Sequence, residues 1–379
     1  MVVNGRPVAV TAGGGGDGGM VRVWDLNSGH VTHSLAGHTG WVGAVATAVV
    51  DGRPLAVSGG EDGDVRVWDL TAVHATHTLT GHTREVGAVA MAVVDGRRVA
   101  ISGGEDGEVR VWDLTTGHVT LTLTGHTTSV TALVTAVVDG RPVAISGGRD
   151  GEVRVWDLTT GHVTLTLTGH TTSVTALVTA VLDGRPVAIS ASFDHTVRVW
   201  DLTTGHATLT VRTRFGMTLA IAVVDGQPVA ISSGENGTVG VWDLTTGHAT
   251  HSLTGHTGWV RAVATAVVDG RPVAVAACED STVRVWDLTT GHATHSLIGH
   301  TGIGCAVATV MVVGRPIAVT ASWDSTVRVW DLITGSCLTT LTLPHRAQCV
   351  EISADATVVL GMGYEVIVLT LEPVFRRLR

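Results

Sequence analysis

The chain has 379 residues, of which 44% are hydrophobic and 15% charged. That balance excludes a disordered chain and allows one large domain or two to three ordinary ones. All 24 basic residues are arginine, against 33 acidic residues and a net charge of -9, which excludes lysine Schiff-base chemistry and argues against nucleic acid as the main partner. No apolar run approaches the ~18 residues of a membrane span, and the start MVVNGRPVAV lacks the regions of a secretory leader.

Trp-Asp recurs along the chain at Trp24, Trp68, Trp112, Trp156, Trp200, Trp242, Trp286 and Trp330, at steps of 44 residues with a single step of 42. In the unit that closes at Leu114, Val86 to Val94 is a β-rich run of small residues. Asp95-Gly96 follows, the dipeptide favoured by a hairpin turn with two positive φ values. Val99 to Ser102 predicts a second strand, Gly103 to Gly107 a turn, and Val109 to Leu114 a third strand. Thr115 to His118 turns again, and Val119 to Thr124 predicts a fourth strand. No stretch carries a helical apolar period.

The third strand places Val109 and Val111 on one face, with Trp112 and Leu114 on the other. Both faces need cover. Copies stacked face to face around an axis supply it, with the small-residue strand innermost. The expected fold is all-β: a single β-propeller of four-stranded antiparallel blades over 1–379.

Nine units are expected, in eight or nine blades. Units over 38–343 are complete. Residues 1–37 lack an inner strand and 344–379 an outer one. The opening MVVNGRP corresponds to mid-unit AVVDGRP, as in a fragment of a longer protein. Residues 115–158 and 159–202 differ only at Val138/Leu182, Gly147/Ala191, Gly148/Ser192, Arg149/Phe193, Gly151/His195 and Glu152/Thr196. The scaffold was kept while the turn before the third strand varied.

Gly-His, then a turn Asp, then Trp-Asp, repeated at this spacing, resembles the WD40-repeat β-propeller family over nearly the whole chain. The resemblance implies a hydrogen-bonded tetrad in each blade. The expected sets are His38, Ser58, Asp62, Trp68; His82, Ser102, Asp106, Trp112; His126, Ser146, Asp150, Trp156; His170, Ser190, Asp194, Trp200; and His300, Thr320, Asp324, Trp330. A His, Asp and Ser in reach suggest a hydrolase triad. Five copies without a nucleophile elbow read instead as structural.

Several units depart from the pattern and are expected to be the softest. The sixth has Arg214 at the His position and Asn236 at the Asp position, beside Ser232 and Trp242. In the seventh, Ala276 replaces the hydroxyl between His256, Asp280 and Trp286. The first has Thr11, Asp17 and Trp24, and the last puts Leu369 in the Trp position and leaves His345 without a tetrad.

Trp41, Trp259 and Trp323 lie outside the Trp-Asp motif. The resemblance places them on one rim, with Phe193 and Arg149 and the carboxylates Glu61, Glu85, Glu105, Glu235 and Glu279. Aromatics flanked by acids suit a basic or amphipathic protein or peptide. The opposite face is expected to carry Arg6, Arg53, Arg97, Arg141, Arg185, Arg271 and Arg315. With them come His30, His74, His118, His162, His206, His248 and His292. His-x-Thr-His pairs such as His74 and His77 point to opposite faces of a strand, so no metal is expected there.

The four cysteines, Cys278, Cys305, Cys337 and Cys349, include no C-x-x-C pair. They read as small core residues in a reduced, cytoplasmic setting. Exclusive use of arginine suits a GC-rich bacterial genome. The expected function is a non-enzymatic protein-interaction scaffold with no cofactor and no metal. It would serve as the docking or sensor part of a bacterial signalling protein, away from nucleic acid and membrane. The alternative is a small-ligand or anion sensor using the axial channel and the Arg/His face.

Overall fold

In the computed structural model the described residues are 2–3, 6–15, 18–25, 30–40, 42–50, 53–69, 74–213, 218–233, 236–312, 314–342, 347–352, 357–362 and 365–370, with side chains described chiefly from 55 to 342. Every regular element among them is a β-strand. The strands form eight four-stranded sheets and one three-stranded sheet, each with its strands in chain order. We number the sheets 1 to 9 along the chain and call their strands inner, second, third and outer. In sheet 3 these are Val86–Val94, Arg97–Gly104, Glu108–Asp113 and Val119–Thr124, paired antiparallel. Sheet 2 covers 42–80, sheet 4 130–167, sheet 5 174–212, sheet 6 219–253, sheet 7 260–298 and sheet 8 304–342.

The chain folds as two compact units. One comprises Ala12–Val23 and His33–Thr210; the other comprises Met1–Thr11, Trp24–Thr32 and Val211–Arg379. In the first, the inner hairpin of sheet 3 closes on Asp95 at φ 48° and Gly96 at φ 75°, the primed-turn geometry expected of Asp-Gly. A side chain at Gly96 would meet nothing within 4 Å. Backbone conformation, not space, therefore selects glycine there.

Strand alternation builds the core between sheets. In the first unit, Val99, Ile101, Val109, Val111 and Leu123 of sheet 3 cluster with Ala144, Trp156 and Leu158 of sheet 4. Val143, Ile145, Val153 and Val155 then face Ala188, Trp200 and Leu202 of sheet 5. The second unit repeats this. Val229, Ile231, Val239 and Val241 of sheet 6 meet Ala274, Trp286 and Leu288 of sheet 7. In each of these pairs one sheet offers aliphatic residues to the indole face of the next. Inner strands are also tied across sheets: Thr135 Oγ1 donates to the Met91 carbonyl at 3.1 Å, and Thr265 Oγ1 to that of Ile221 at 2.9 Å.

One expectation about the strands changes. Sheet 1 does have an inner strand, the stub Val2–Val3 paired with Arg6 and Pro7. Val2-Val3 keeps the last two residues of the inner-strand run that other units carry before Asp-Gly, here before Asn4-Gly5 in the sequence, so even two residues find their register. Sheet 9 holds three strands among the described residues. Of the cysteines, Cys278 is buried, but Cys337 is exposed at the start of the outer strand of sheet 8. Outer strands have solvent on their far side, so Cys337 is no core residue.

Candidate functional site

A buried polar chain runs through each regular sheet. In sheet 4, Trp156 Nε1–H donates to Ser146 Oγ at 2.8 Å, and that hydroxyl lies 2.8 Å from His126 Nε2. His126 Nδ1 sits 3.0 Å from Asp150 Oδ2, which also accepts the Thr127 backbone N–H at 2.9 Å. Burial pushes the His126 imidazole below its ordinary value, although Asp150 opposes the shift. The ring is therefore neutral, with Nδ1–H as donor and Nε2 as acceptor.

The same chain joins His38, Ser58, Asp62 and Trp68 in sheet 2, and His82, Ser102, Asp106 and Trp112 in sheet 3. It recurs with His170, Ser190, Asp194 and Trp200 in sheet 5, and with His300, Thr320, Asp324 and Trp330 in sheet 8. Burial alone would raise the Asp194 carboxyl. Hydrogen bonds from the Thr196 hydroxyl, His170 and the Thr171 N–H outweigh it and hold the group at about 2.

The connectivity of carboxylate, imidazole and hydroxyl is that of a hydrolase triad. Its chemistry is blocked by position. Ser146 is 0% exposed, and its Oγ already accepts the Trp156 indole. A nucleophile needs an approach path and a free lone pair. These buried hydroxyls have no approach path, so the bonded tetrad pins loops instead of attacking substrates.

Among the sheets whose side chains are described, two lack the full tetrad. In sheet 7, Ala276 supplies no hydroxyl. Trp286 Nε1 turns to the Thr254 carbonyl at 3.3 Å, and His256 Nε2 is buried without a partner. A stranded buried acceptor costs about 1–3 kcal/mol. Ala276→Ser is expected to recover an amount of that order, read as a higher urea midpoint. An unchanged or lower midpoint would refute the assignment. In sheet 6, Trp242 Nε1 donates to Ser232 Oγ at 2.9 Å, while Asn236 Oδ1 accepts from Thr238 Oγ1 at 2.6 Å. Arg214 lies outside the described residues.

The rim is built by a second recurring bond. The residue before each turn Asp donates its backbone N–H to the loop that enters the inner strand. Glu105 bonds to the Glu85 carbonyl at 2.8 Å, Arg149 to Ser129 at 2.9 Å and Phe193 to Ser173 at 3.1 Å. In the other unit Glu279 bonds to Trp259 and Trp323 to Ile303, both at 2.9 Å. Each pair of loops is thus held together.

Glu61, Glu85, Glu105 and Arg149 share one neighbourhood in the first unit. Partial burial raises the Glu85 carboxyl, and Glu105 and Glu61 add to the shift against Arg149. Phe193 is 46% exposed. In the second unit Trp259 is 39% exposed, with the Arg261 guanidinium 5.5 Å from its ring centre. Arg261 Nε also donates to Glu279 at 2.8 Å, so that acid is already matched. Trp323 is half-buried. Trp41 and Glu235 lie outside the described residues.

On the opposite turns, Arg141 reaches Asp157 at 3.6 Å and Arg185 reaches Asp201 at 3.7 Å. Arg271 and Arg315 approach Asp287 and Asp331 at 3.1 and 3.2 Å. In sheets 4, 5, 7 and 8 the Asp of the Trp-Asp pair therefore offsets a turn arginine. The side chains of Arg6, Arg53, His30 and His74 are not among those described.

One recurring group escaped the sequence reading. The third-strand arginine two residues before each motif Trp packs against the Gly of Gly-His. A Cβ on Gly125 would lie 2.6 Å from Arg154 Nη1 and 3.0 Å from the Trp156 ring. Only glycine leaves room for that guanidinium. The signal was the same 44-residue step, which carries Arg66, Arg110, Arg154, Arg198, Arg284 and Arg328 but Gly240 in sheet 6.

Four-stranded antiparallel sheets, packed aliphatic face to indole face and locked by a buried indole-to-carboxylate chain, define a β-propeller repeat protein. The family described as WD domain, G-beta repeat matches residues 29–69, 74–113, 117–157, 161–201, 247–287 and 291–331. The chain belongs to the WD40 family. The matches pass over sheet 6, where His, Asp and Arg have all been replaced. Among solved structures, the computationally designed Ika8 protein is similar with a TM-score of 0.71 and 30% identity, covering 89% of this chain and 98% of Ika8. No curated protein sequence matches the chain.

Proposed function

We propose that the chain is a non-enzymatic protein-interaction scaffold whose rim docks a basic or amphipathic protein or peptide. The observation that carries this reading is the cluster of Glu61, Glu85 and Glu105, where partial burial and then the neighbouring acids raise the Glu85 carboxyl against Arg149. A cationic partner relieves that repulsion, steers association and gains from loops already held in place. Exposed Phe193 in the same unit, and Trp259 in the other, supply aromatic anchors. Trp41, Glu235, Glu279 and Trp323 complete the proposed partner-binding set. Among the described residues no helix is long and apolar enough to cross a membrane. The free thiols of Cys278 and Cys337 suit a reducing compartment such as the bacterial cytoplasm, where a signalling protein would use such a dock.

The rival anion sensor draws less support, because the turn arginines already face aspartates. A peptide array separates the two readings. Arginine-rich amphipathic peptides are expected to bind, with affinity falling as salt rises. Joint replacement of Glu61, Glu85 and Glu105 by glutamine is expected to cost about tenfold or more, while Arg141→Ala with Arg185→Ala leaves binding unchanged. Preference for acidic peptides, or indifference to the glutamine variant, would overturn the proposal.

A further inference from the structure

Sheet 6 differs from its neighbours at linked positions. Elsewhere glycine precedes the His and an arginine covers the motif indole; Arg198 lies 5.8 Å from the Trp200 ring centre and Arg328 6.0 Å from that of Trp330. In sheet 6, Thr213 stands for the glycine and Gly240 for the arginine. A Cβ on Gly240 would come within 2.7 Å of Trp242 Nε1 and 3.0 Å of its ring carbons. The indole therefore lies against the bare strand, and only glycine permits it. Trp242 is half-buried, whereas Trp156 is 2% exposed.

Beside that indole opens a cavity of about 460 Å³, within the ordinary range for small-ligand sites. Its walls include Trp242, Arg212, Thr213, Asn236, His251 and Ser252. Among the described residues no carboxylate lines it, and Arg212 is its one fixed charge. A cation would find no counter-charge among the described walls. An acyl chain would leave the hydroxyl and amide walls without hydrogen-bond partners. A pyranose suits both features, since its C–H face lies flat on an indole and its hydroxyls exchange bonds with Ser, Thr, Asn and His. An acid group on the sugar would answer Arg212.

We propose that the sheet 6 cavity binds an anionic hexose, a sugar acid or a sugar phosphate. This site is independent of the rim and does not rest on the docking role. The test is calorimetric titration of the full chain with D-glucuronate, glucose 6-phosphate, glucose, adenosine monophosphate and inorganic phosphate, each to about 10 mM. Glucuronate, glucose 6-phosphate or both are expected to bind more tightly than glucose, and inorganic phosphate not at all. Which of the two binds decides between a carboxylate and a phosphate ligand. Trp242→Ala should weaken binding about tenfold or more, and Arg212→Gln should erase the preference for the charged sugar. Ser252→Phe, placed on an exposed outer strand and filling the cavity, should abolish binding. It keeps the test decisive if Trp242→Ala fails to fold. Absence of heat with every sugar, full binding to Ser252→Phe, or tighter binding of adenosine monophosphate than of either anionic hexose would overturn the proposal.

Discussion

Trp156→Ala is expected to destabilise sheets 3 and 4 by about 3–5 kcal/mol, the usual cost of emptying a large aromatic site. The indole is 2% exposed and clusters with Val99, Ile101, Val109, Val111 and Leu123 of the neighbouring sheet and Val130 of its own. Removing it leaves a cavity lined by rigid β-branched side chains that cannot collapse to fill it. It also removes the donor that fixes Ser146. Trp156→Phe separates the two effects, because most of the packing stays while the N–H goes; a smaller loss of about 1–3 kcal/mol is expected. Trp242→Ala serves as the internal control. That indole is half-buried, faces a cavity and lies on bare Gly240, so its removal should cost clearly less. Urea unfolding read by amide exchange tests the series. Equal losses at Trp156 and Trp242, or a phenylalanine variant as damaged as the alanine one, would show that buried packing is not what joins the sheets.

Much of this architecture was legible in the letters because the unit repeats. A strand such as Val86–Val94 announces itself by small β-branched residues between a Gly-His and an Asp-Gly, and neighbouring copies repeat the message. The tetrad residues were legible only through family resemblance. Nothing in the spacing of His126, Ser146, Asp150 and Trp156 says that their atoms meet. Other features depend on shape alone. The register shift between Val111 and Trp112 against the outer strand leaves no mark in composition. The guanidinium on the Gly-His glycine was invisible because a residue that touches glycine has no side-chain partner to name. The cavity of sheet 6 exists for the complementary reason. Thr213 and Gly240 exchange bulk across a contact whose existence the sequence does not declare. The rim was partly legible: the residues before the turn Asp vary where the scaffold does not. That Glu279 is already matched by Arg261, while Glu85 is crowded by other acids, is a matter of distances.

Acid is expected to unfold the chain well before its carboxylates titrate. His38, His82, His126, His170, His256 and His300 are all buried, and burial holds each below the ordinary histidine value despite the adjacent aspartate. In the unfolded chain these rings take up protons near pH 6.5. The folded state resists, because a charged imidazole would lie in a dry site and, in every one of these sheets but sheet 7, Nε2 would lose its role as acceptor for the hydroxyl. Between pH 6.5 and the depressed folded values the unfolded state therefore binds more protons, and stability falls as pH falls. Each ring contributes at most about 1.4 kcal/mol per pH unit, and six act in the same direction. A second loss follows lower down. Asp194 and Asp324 are held at about 2, so their stabilising share disappears as pH drops from about 3.9 toward that value. The urea midpoint is thus expected to decline steeply between pH 6.5 and 5, where a fold stabilised by carboxylates alone would hold level. His126→Gln, which cannot take up a proton, should lower the midpoint at pH 8 yet flatten its decline toward pH 5. A midpoint constant across that range, or one that rises on acidification, would mean that the imidazoles are charged in the folded state and that the indole, hydroxyl, imidazole and carboxylate do not form the neutral relay their geometry describes.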